Sequence, residues 1–83
     1  MKILYFAWLR QKTGTPAETI DLPAGIGTVS DLLAFLGERH PRFREAFEAT
    51  GIVRCAVNQQ HVDRDHPIGP NDEVAFFPPV TGG

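Results

Sequence analysis

The sequence predicts one α+β domain in which a helix covers one face of a β-sheet. Segments rich in aromatic and branched residues stand near both ends of the chain, and an amphipathic helical segment lies between them. The resulting order of strand, strand, helix, strand, strand is typical of a sheet with a helix packed against it. A length of 83 residues allows one domain with one hydrophobic core.

The first 22 residues predict a β-hairpin. Residues 2–9 (KILYFAWL) are rich in the residue types that favour strands, and both faces of this strand are apolar. A loop around Gly14 and Pro16 leads to a second predicted strand at residues 18–22 (ETIDL). We therefore expect these two strands to pair with each other across that loop.

The middle of the chain predicts two consecutive helices. Thr28, followed three residues later by Asp31, approximates a capping box and marks a helix start. The apolar stripe that follows at helical spacing consists of Val29, Leu32, Leu33 and Leu36. His40 and Pro41 end this helix and begin a shorter one, which Gly51 can close. One side of the shorter helix carries Phe43, Ala46 and Phe47.

The last third of the chain predicts the remaining strands. Residues 52–58 (IVRCAVN) form the third strand, and residues 73–77 (EVAFF) form the last. A further short strand is expected around His61 and Val62, and a turn at residues 69–72 (GPND) leads into the final strand.

The helical and strand periodicities agree on one interior. The predicted core contains Ile3, Tyr5, Val29, Leu32, Leu33, Leu36, Val53, Cys55, Val57, Val74 and Phe76. Because Cys55 alternates with two valines, we expect its thiol to serve packing rather than chemistry. A second apolar set on the opposite strand faces consists of Leu4, Phe6, Trp8 and Phe77. Four such side chains on adjacent strands favour a binding patch.

The last six residues (PPVTGG) have a composition unlike the rest of the chain. Pro78 and Pro79 lack a backbone N–H and stop sheet pairing after the final strand. Gly82 and Gly83 carry no Cβ, so the backbone at the terminus is open to approach. We expect residues 1–77 to form the domain and residues 78–83 to form a tail that is mobile in the free protein and ordered in a complex.

Composition excludes several classes of function. A net charge of −2 gives no reason to expect nucleic-acid or membrane-surface binding, and no signal peptide or membrane span is expected. With a single cysteine the chain has no internal disulfide, which fits the cytoplasm. Metal-ligand residue types cluster at His61, Asp63, Asp65 and His66, but their spacing does not form a ligand set, and we expect no metal site.

Three stretches of the chain resemble the small, sulfur-carrier subunits of molybdopterin synthase. These are residues 56–59 (AVNQ), residues 65–67 (DHP) and, most specifically, residues 72–83 (DEVAFFPPVTGG). The resemblance runs from Tyr5 to the last residue. It implies a ubiquitin-like β-grasp fold, with a mixed sheet whose first and last strands are parallel and adjacent.

The resemblance also implies a function, in which Gly83 carries sulfur as a thiocarboxylate. A ubiquitin-activating-like adenylyltransferase uses ATP to adenylate this glycine, and a sulfur donor protein then displaces AMP. The large synthase subunit receives the tail, in a heterotetramer, and inserts the sulfur into cyclic pyranopterin monophosphate. The carrier itself is not catalytic and binds no permanent cofactor.

Residue roles follow from this resemblance and from the apolar patch. Gly83 is the reacting residue, and Gly82, Thr81 and Val80 give the tail access to the partner. The expected partner interface contains Leu4, Phe6, Trp8, His61, Phe77, Pro78 and Pro79. Position 61 departs from the family, because related carriers can have an aliphatic residue where this chain has histidine.

Two other functions remain open from the residues. The chain could be a sulfur carrier for another heterocycle, such as the thiamine thiazole. It could also be a ubiquitin-like modifier whose terminal Gly-Gly forms isopeptide bonds with lysines. The intact mass of the protein from its native host distinguishes them, since a carrier exchanges one oxygen for sulfur and a modifier forms protein adducts.

Overall fold

Five strands and three helices make up residues 1–50 and 53–78, the part of the chain that the structure, a computed structural model, describes. In chain order they are β1 (Lys2–Tyr5), α1 (Leu9–Thr13), β2 (Ala17–Thr19), α2 (Val29–Arg39), α3 (Pro41–Thr50), β3 (Arg54–Val57), β4 (Gln60–Val62) and β5 (Glu73–Phe77). The predictions for Gly51, Ile52 and residues 79–83 lie outside the described residues.

The strands form one mixed sheet in the order β2-β1-β5-β3-β4. The central pair, β1 and β5, is parallel, with Lys2 opposite Glu73 and Tyr5 opposite Phe76. The other three pairs are antiparallel. The parallel neighbours expected from the family resemblance are therefore confirmed, and both central strands end at the same edge of the sheet.

Helix α2 begins as the sequence predicts. The Thr28 hydroxyl oxygen accepts a hydrogen bond from the Asp31 amide at 3.2 Å, and the Asp31 carboxylate accepts one from the Thr28 amide at 3.2 Å. The first two amides of the helix, those of Val29 and Ser30, donate to backbone carbonyls of the loop at residues 63–68. Side-chain and loop acceptors thus satisfy the first amides of the helix.

The predicted core is confirmed, since all eleven of its residues are buried. The apolar stripe of α2 and alternate residues of β1, β3 and β5 belong to one cluster. Phe43, on α3, is also fully buried and makes edge contacts with the rings of Tyr5 and Phe76, at centroid distances of 5.4 and 5.8 Å. The helices therefore cover one face of the sheet.

The expected course of the chain from residue 6 to residue 22 is wrong in two respects. Strand β1 ends at Tyr5, Ala7 takes a positive φ of 56°, and α1 follows before Gly14 closes it with a φ of 78°. This turn keeps Leu9 fully buried, so its apolar signal comes from a helix and not from a strand. The second strand covers residues 17–19 instead of 18–22.

The longest helix in the described residues, α2, has 11 residues. No helix in this part of the chain is both long and apolar enough to cross a bilayer.

Candidate functional site

The sheet surface opposite the helices is the candidate functional site. Residues of β1, β3 and β5 alternate between the core and this surface, as expected for pleated strands. We call the surface the free face and define its apolar part as Leu4, Phe6, Ala56, Ala75 and Phe77, which line one shallow hollow of about 270 Å³. Gln59 and Glu73 add the polar part of the lining.

Strand register arranges these residues in rows across the sheet. One row runs from Leu4 through Ala75 and Ala56 to His61, because each of these residues lies opposite the next. Paired residues of neighbouring strands point to the same side. The two alanines in the centre of this row leave a gap between the larger side chains, and this gap forms the hollow.

A second row lies nearer the edge at which β1 and β5 end. Phe6 continues the pairing of β1, since its amide donates to the Phe76 carbonyl at 3.0 Å. Phe77 lies opposite Arg54 in the sheet. The Phe6 side chain is 48% exposed and that of Phe77 is half-buried. An aromatic ring exposed on a small protein and placed beside a second one is a common feature of binding surfaces.

The structure brings most of the predicted interface residues together. The His61 ring is exposed and lies 5.2 Å from the ring of Phe77, with the two planes inclined at 57°. Pro78 follows β5 directly and is half-buried. Trp8 lies in the turn before α1 rather than in β1, is 37% exposed, and is not among the residues that line the hollow.

The predicted tail residues Pro79, Val80, Thr81, Gly82 and Gly83 lie outside the described residues. The strand that leads to them is described, and it places their point of departure. Because β5 is central and ends beside Phe6, the chain leaves the sheet next to the exposed aromatic row of the free face.

A family model described as the ThiS family matches residues 3–83. The chain belongs to this family. The chain is also similar to a molybdopterin synthase sulfur carrier subunit of Escherichia coli, with 43% identity over 100% of its own length and 99% of the relative's. This match confirms the family resemblance read from the sequence.

Solved structures similar to this ThiS-family chain have the same fold. A putative molybdopterin converting factor, subunit 1, from Pyrococcus furiosus is 37% identical, with a TM-score of 0.78 over 95% of both chains. SAMP1 from Haloferax volcanii is 30% identical, with a TM-score of 0.80 over 100% of this chain and 98% of that one. The ubiquitin-like β-grasp fold is thereby confirmed.

Cys55 lies on the core side of the sheet, away from the free face. Its thiol donates a weak hydrogen bond to the Val62 carbonyl at 3.4 Å. Burial raises the pKa of this thiol, and the charge of Asp63 raises it further against the opposing effect of Arg64. A thiol held in the protonated form is a poor nucleophile, so Cys55 serves packing in this family member.

The alternation of apolar and polar residues in the sequence did not identify two features of the structure. One is the floor of the hollow, and the other is a polar cluster around Glu18. Ala56 and Ala75 are small and carry a weak signal, and only the strand register shows that they are opposite each other. The cluster joins Glu18 to three donors at 2.7–2.8 Å: Tyr5, Arg39 and His40. It lies on the side of the sheet that the helices cover, and it links β2 to the end of α2.

The surroundings of Glu18 and Tyr5 favour the ionised form of Glu18 and the neutral form of Tyr5. Burial by itself raises the pKa of Glu18, but hydrogen bonds from His40 and Tyr5, together with the charges of His40 and Arg39, outweigh it and lower the pKa. Burial and the bond to Glu18 raise the pKa of Tyr5, so its hydroxyl remains a donor. This cluster therefore holds an ionised carboxylate and stabilises the fold.

In the described ranges, 1–50 and 53–78, no three His, Cys, Asp or Glu side chains come close enough together to hold a metal ion.

Proposed function

We propose that this chain is the sulfur carrier subunit of molybdopterin synthase. The observation that carries the proposal is the similarity to the Escherichia coli sulfur carrier subunit along the whole chain, with 43% identity. The terminal sequence PPVTGG supports it, because two residues without side chains give an active site access to the last carbonyl. The chain is a sulfur-donating subunit and is not catalytic by itself.

In this proposal the reacting group is the α-carboxyl group of Gly83. A carboxylate is a poor electrophile, so a ubiquitin-activating-like adenylyltransferase first joins it to AMP, using ATP and releasing pyrophosphate. A hydrosulfide equivalent (HS⁻) released by a sulfur donor protein then attacks the carbonyl carbon, a C–S bond forms, and AMP leaves with the electron pair of the broken C–O bond. The resulting thiocarboxylate holds an ionised sulfur, which is nucleophilic for the reason that a thiolate is.

The large subunit of molybdopterin synthase is the proposed partner of the free face. Docking there places the end of β5 against the partner, and the chain continues from Pro78 towards its terminus. Five further residues can extend at most about 17 Å. That reach allows Gly83 to enter an active site set back from the docking surface, where the sulfur passes to cyclic pyranopterin monophosphate.

In this proposal two carriers and two large subunits form a heterotetramer. The heterotetramer works in the cytoplasm. The cofactor requirement is limited to the ATP that the activating enzyme consumes. No group of this chain has to bind a metal or cofactor permanently, since the partners supply the catalytic residues.

Deletion of Gly83 tests the carrier role. The shortened tail ends about 3.5 Å early, and a displacement of even 1 Å can lower a rate about 100-fold. We expect unchanged folding and docking but loss of molybdopterin formation when activated carrier, large subunit and cyclic pyranopterin monophosphate are combined. Thr81→Ser, which keeps the length of the tail, is the matched control, and a bulky residue in place of Gly82 should block entry. Normal product formation by the deletion variant would refute the proposal.

Truncation of the aromatic row tests the docking surface. Phe6→Ala and Phe77→Ala should each weaken binding to the large subunit by about 2 kcal/mol, or roughly 30-fold in Kd. Glu38→Ala, at an exposed position of α2, is the control. Calorimetric titration gives the affinities, and wild-type values for both variants of the row would exclude the free face as the docking site.

A ubiquitin-like protein modifier is the second candidate function. The observation that favours it is the similarity in fold and sequence to SAMP1 of Haloferax volcanii, a small archaeal modifier protein. Intact mass of the protein purified from its host separates the two functions. Exchange of one oxygen for sulfur supports the carrier, whereas covalent attachment to other proteins supports the modifier.

A further inference from the structure

We infer that His61 makes docking on the free face dependent on pH, because a partner can cover this face readily only while the His61 imidazole is neutral. The inference rests on the proposed function, in which the large subunit occupies the free face. It assigns to the partner an uncharged surface opposite His61, and it assigns to His61 the control of affinity.

The position of His61 places it inside the area that a docked partner covers. His61 ends the row that begins at Leu4 and passes through the two alanines of the hollow. Its ring lies 5.2 Å from that of Phe77. A specific interface buries about 800 Å² on each partner, so a protein seated on Phe77 also covers the neighbouring ring.

The charged groups around His61 do not prepare a site for an imidazolium ion. Arg54 on β3 and Asp63 just after β4 line a hollow together with His61, and these two residues carry opposite charges. On β5 its neighbouring ring is that of Phe77, and the one charged residue of this strand, Glu73, lies at its start, two residues before Ala75. None of the ion pairs in residues 1–50 and 53–78 includes His61.

Covering the ring therefore affects its two protonation states differently. Transfer from water to an apolar contact disfavours the charged form of a histidine much more than the neutral form. Histidine is the side-chain type whose charge commonly changes between about pH 5 and pH 8, so this range is the one in which to look for the effect. Docking and protonation consequently compete, and affinity falls as the solution becomes more acidic.

The size of the effect follows from this competition. If docking requires the neutral ring and the free ring is charged, Kd rises at most about tenfold for each unit by which the pH falls. In the same range each docking event releases up to one proton. The direction distinguishes this arrangement from a partner that offers a carboxylate to His61, for which acid would strengthen docking.

The other two histidines provide comparisons within the chain. His66 is exposed like His61, but it lies in the loop that caps α2, where its backbone carbonyl accepts from the Val29 amide. His40 belongs to the Glu18 cluster and stabilises the fold. His66→Leu is therefore the matched control for His61→Leu.

The test is a calorimetric titration of the large subunit with full-length carrier at several values between about pH 5.5 and pH 8. Two buffers that differ in ionisation enthalpy give the number of protons released at each pH. We expect wild-type carrier and His66→Leu to lose affinity with acid and to release protons. His61→Leu should lose this dependence, and His61→Lys should bind weakly throughout.

The outcomes separate the inference from the function on which it rests. A carrier that fails to bind the large subunit at every pH overturns the proposed partner. Binding whose pH profile and proton release are the same for wild type and His61→Leu overturns the role of His61 alone. Tighter binding of wild type at low pH overturns it as well, and circular dichroism of each variant confirms that its fold is intact.

Discussion

Replacement of Glu18 by glutamine is expected to destabilise the fold at neutral pH and to lose its effect in acid. The carboxylate accepts from the Tyr5 hydroxyl at 2.8 Å and from His40 Nε2 at 2.7 Å, and its side chain is only 12% exposed. Arg39 donates to the other oxygen, but the Arg39 side chain is 50% exposed. Glutamine keeps the shape of the side chain and removes its charge.

The magnitude follows from the two half-buried bonds. A hydrogen bond to a charged group contributes about 1.5–3 kcal/mol, whereas a neutral one contributes about 0.5–1.5 kcal/mol. Loss of the charge on Glu18 should therefore cost about 1 kcal/mol for each bond, and the exposed Arg39 pair adds less than about 1 kcal/mol. We expect a total loss of about 2 kcal/mol in the free energy of unfolding, out of about 4–12 kcal/mol for a chain of this length.

The dependence on pH has a definite sign. Because the folded state lowers the pKa of Glu18 below its ordinary value of 4.5, the carboxylate stabilises the fold above that value. This contribution disappears as the pH falls through the folded pKa, where the unfolded chain already binds the proton. The difference in free energy of unfolding between wild type and Glu18→Gln should accordingly reach its full size at neutral pH and disappear in strong acid.

Urea unfolding followed by circular dichroism at about pH 7 and about pH 2.5 measures this difference. Asp31 and Asp72 also have lowered pKa values, but both remain in the variant, so their effects cancel in the comparison. Glu48→Gln breaks an exposed pair with Arg44 and should cost no more than about 0.5 kcal/mol. Equal gaps at both pH values, or no gap at neutral pH, would refute the reasoning.

Three further predictions concern the core and the thiol. Leu36→Ala should lower the free energy of unfolding by about 2–5 kcal/mol, because Leu36 is fully buried. Ser30→Ala, on the exposed side of α2, should change it by less than about 0.5 kcal/mol. Similar values for the two variants would place the stripe in solvent. Gly37→Leu should cost about 1–3 kcal/mol by overpacking, because even a Cβ at this position would lie 3.1 Å from the Arg44 Cβ, and wild-type urea stability would contradict this contact between α2 and α3. Cys55 should react with a thiol reagent far more slowly in the native protein than in urea, and equal rates would show an open thiol.

Local signals account for the parts of the fold that the sequence predicts well. The capping box at Thr28 and the stripe ending at Leu36 lie within one short segment, and their geometry depends on that segment alone. The final strand matches residues 73–77 for the same reason, since a proline follows it directly.

The errors occur where one local pattern fits two structures. Leu9 is buried in α1, but an apolar residue at that position also continues the alternation of β1. The turn between them depends on a positive φ at Ala7, a conformation that alanine does not signal. The same extension of β1 predicts Trp8 as a strand residue, whereas the structure has it in the turn before α1.

The sequence by itself determined the helix start, the membership of the core, the last strand and the family with its characteristic terminus. Tertiary structure decided which side chains share the free face. The row from Leu4 to His61 joins four strands, and the Glu18 cluster joins residues up to 35 positions apart. Propensity, capping and periodicity act over a few neighbouring residues, whereas strand register and helix packing are fixed by burial of the whole core.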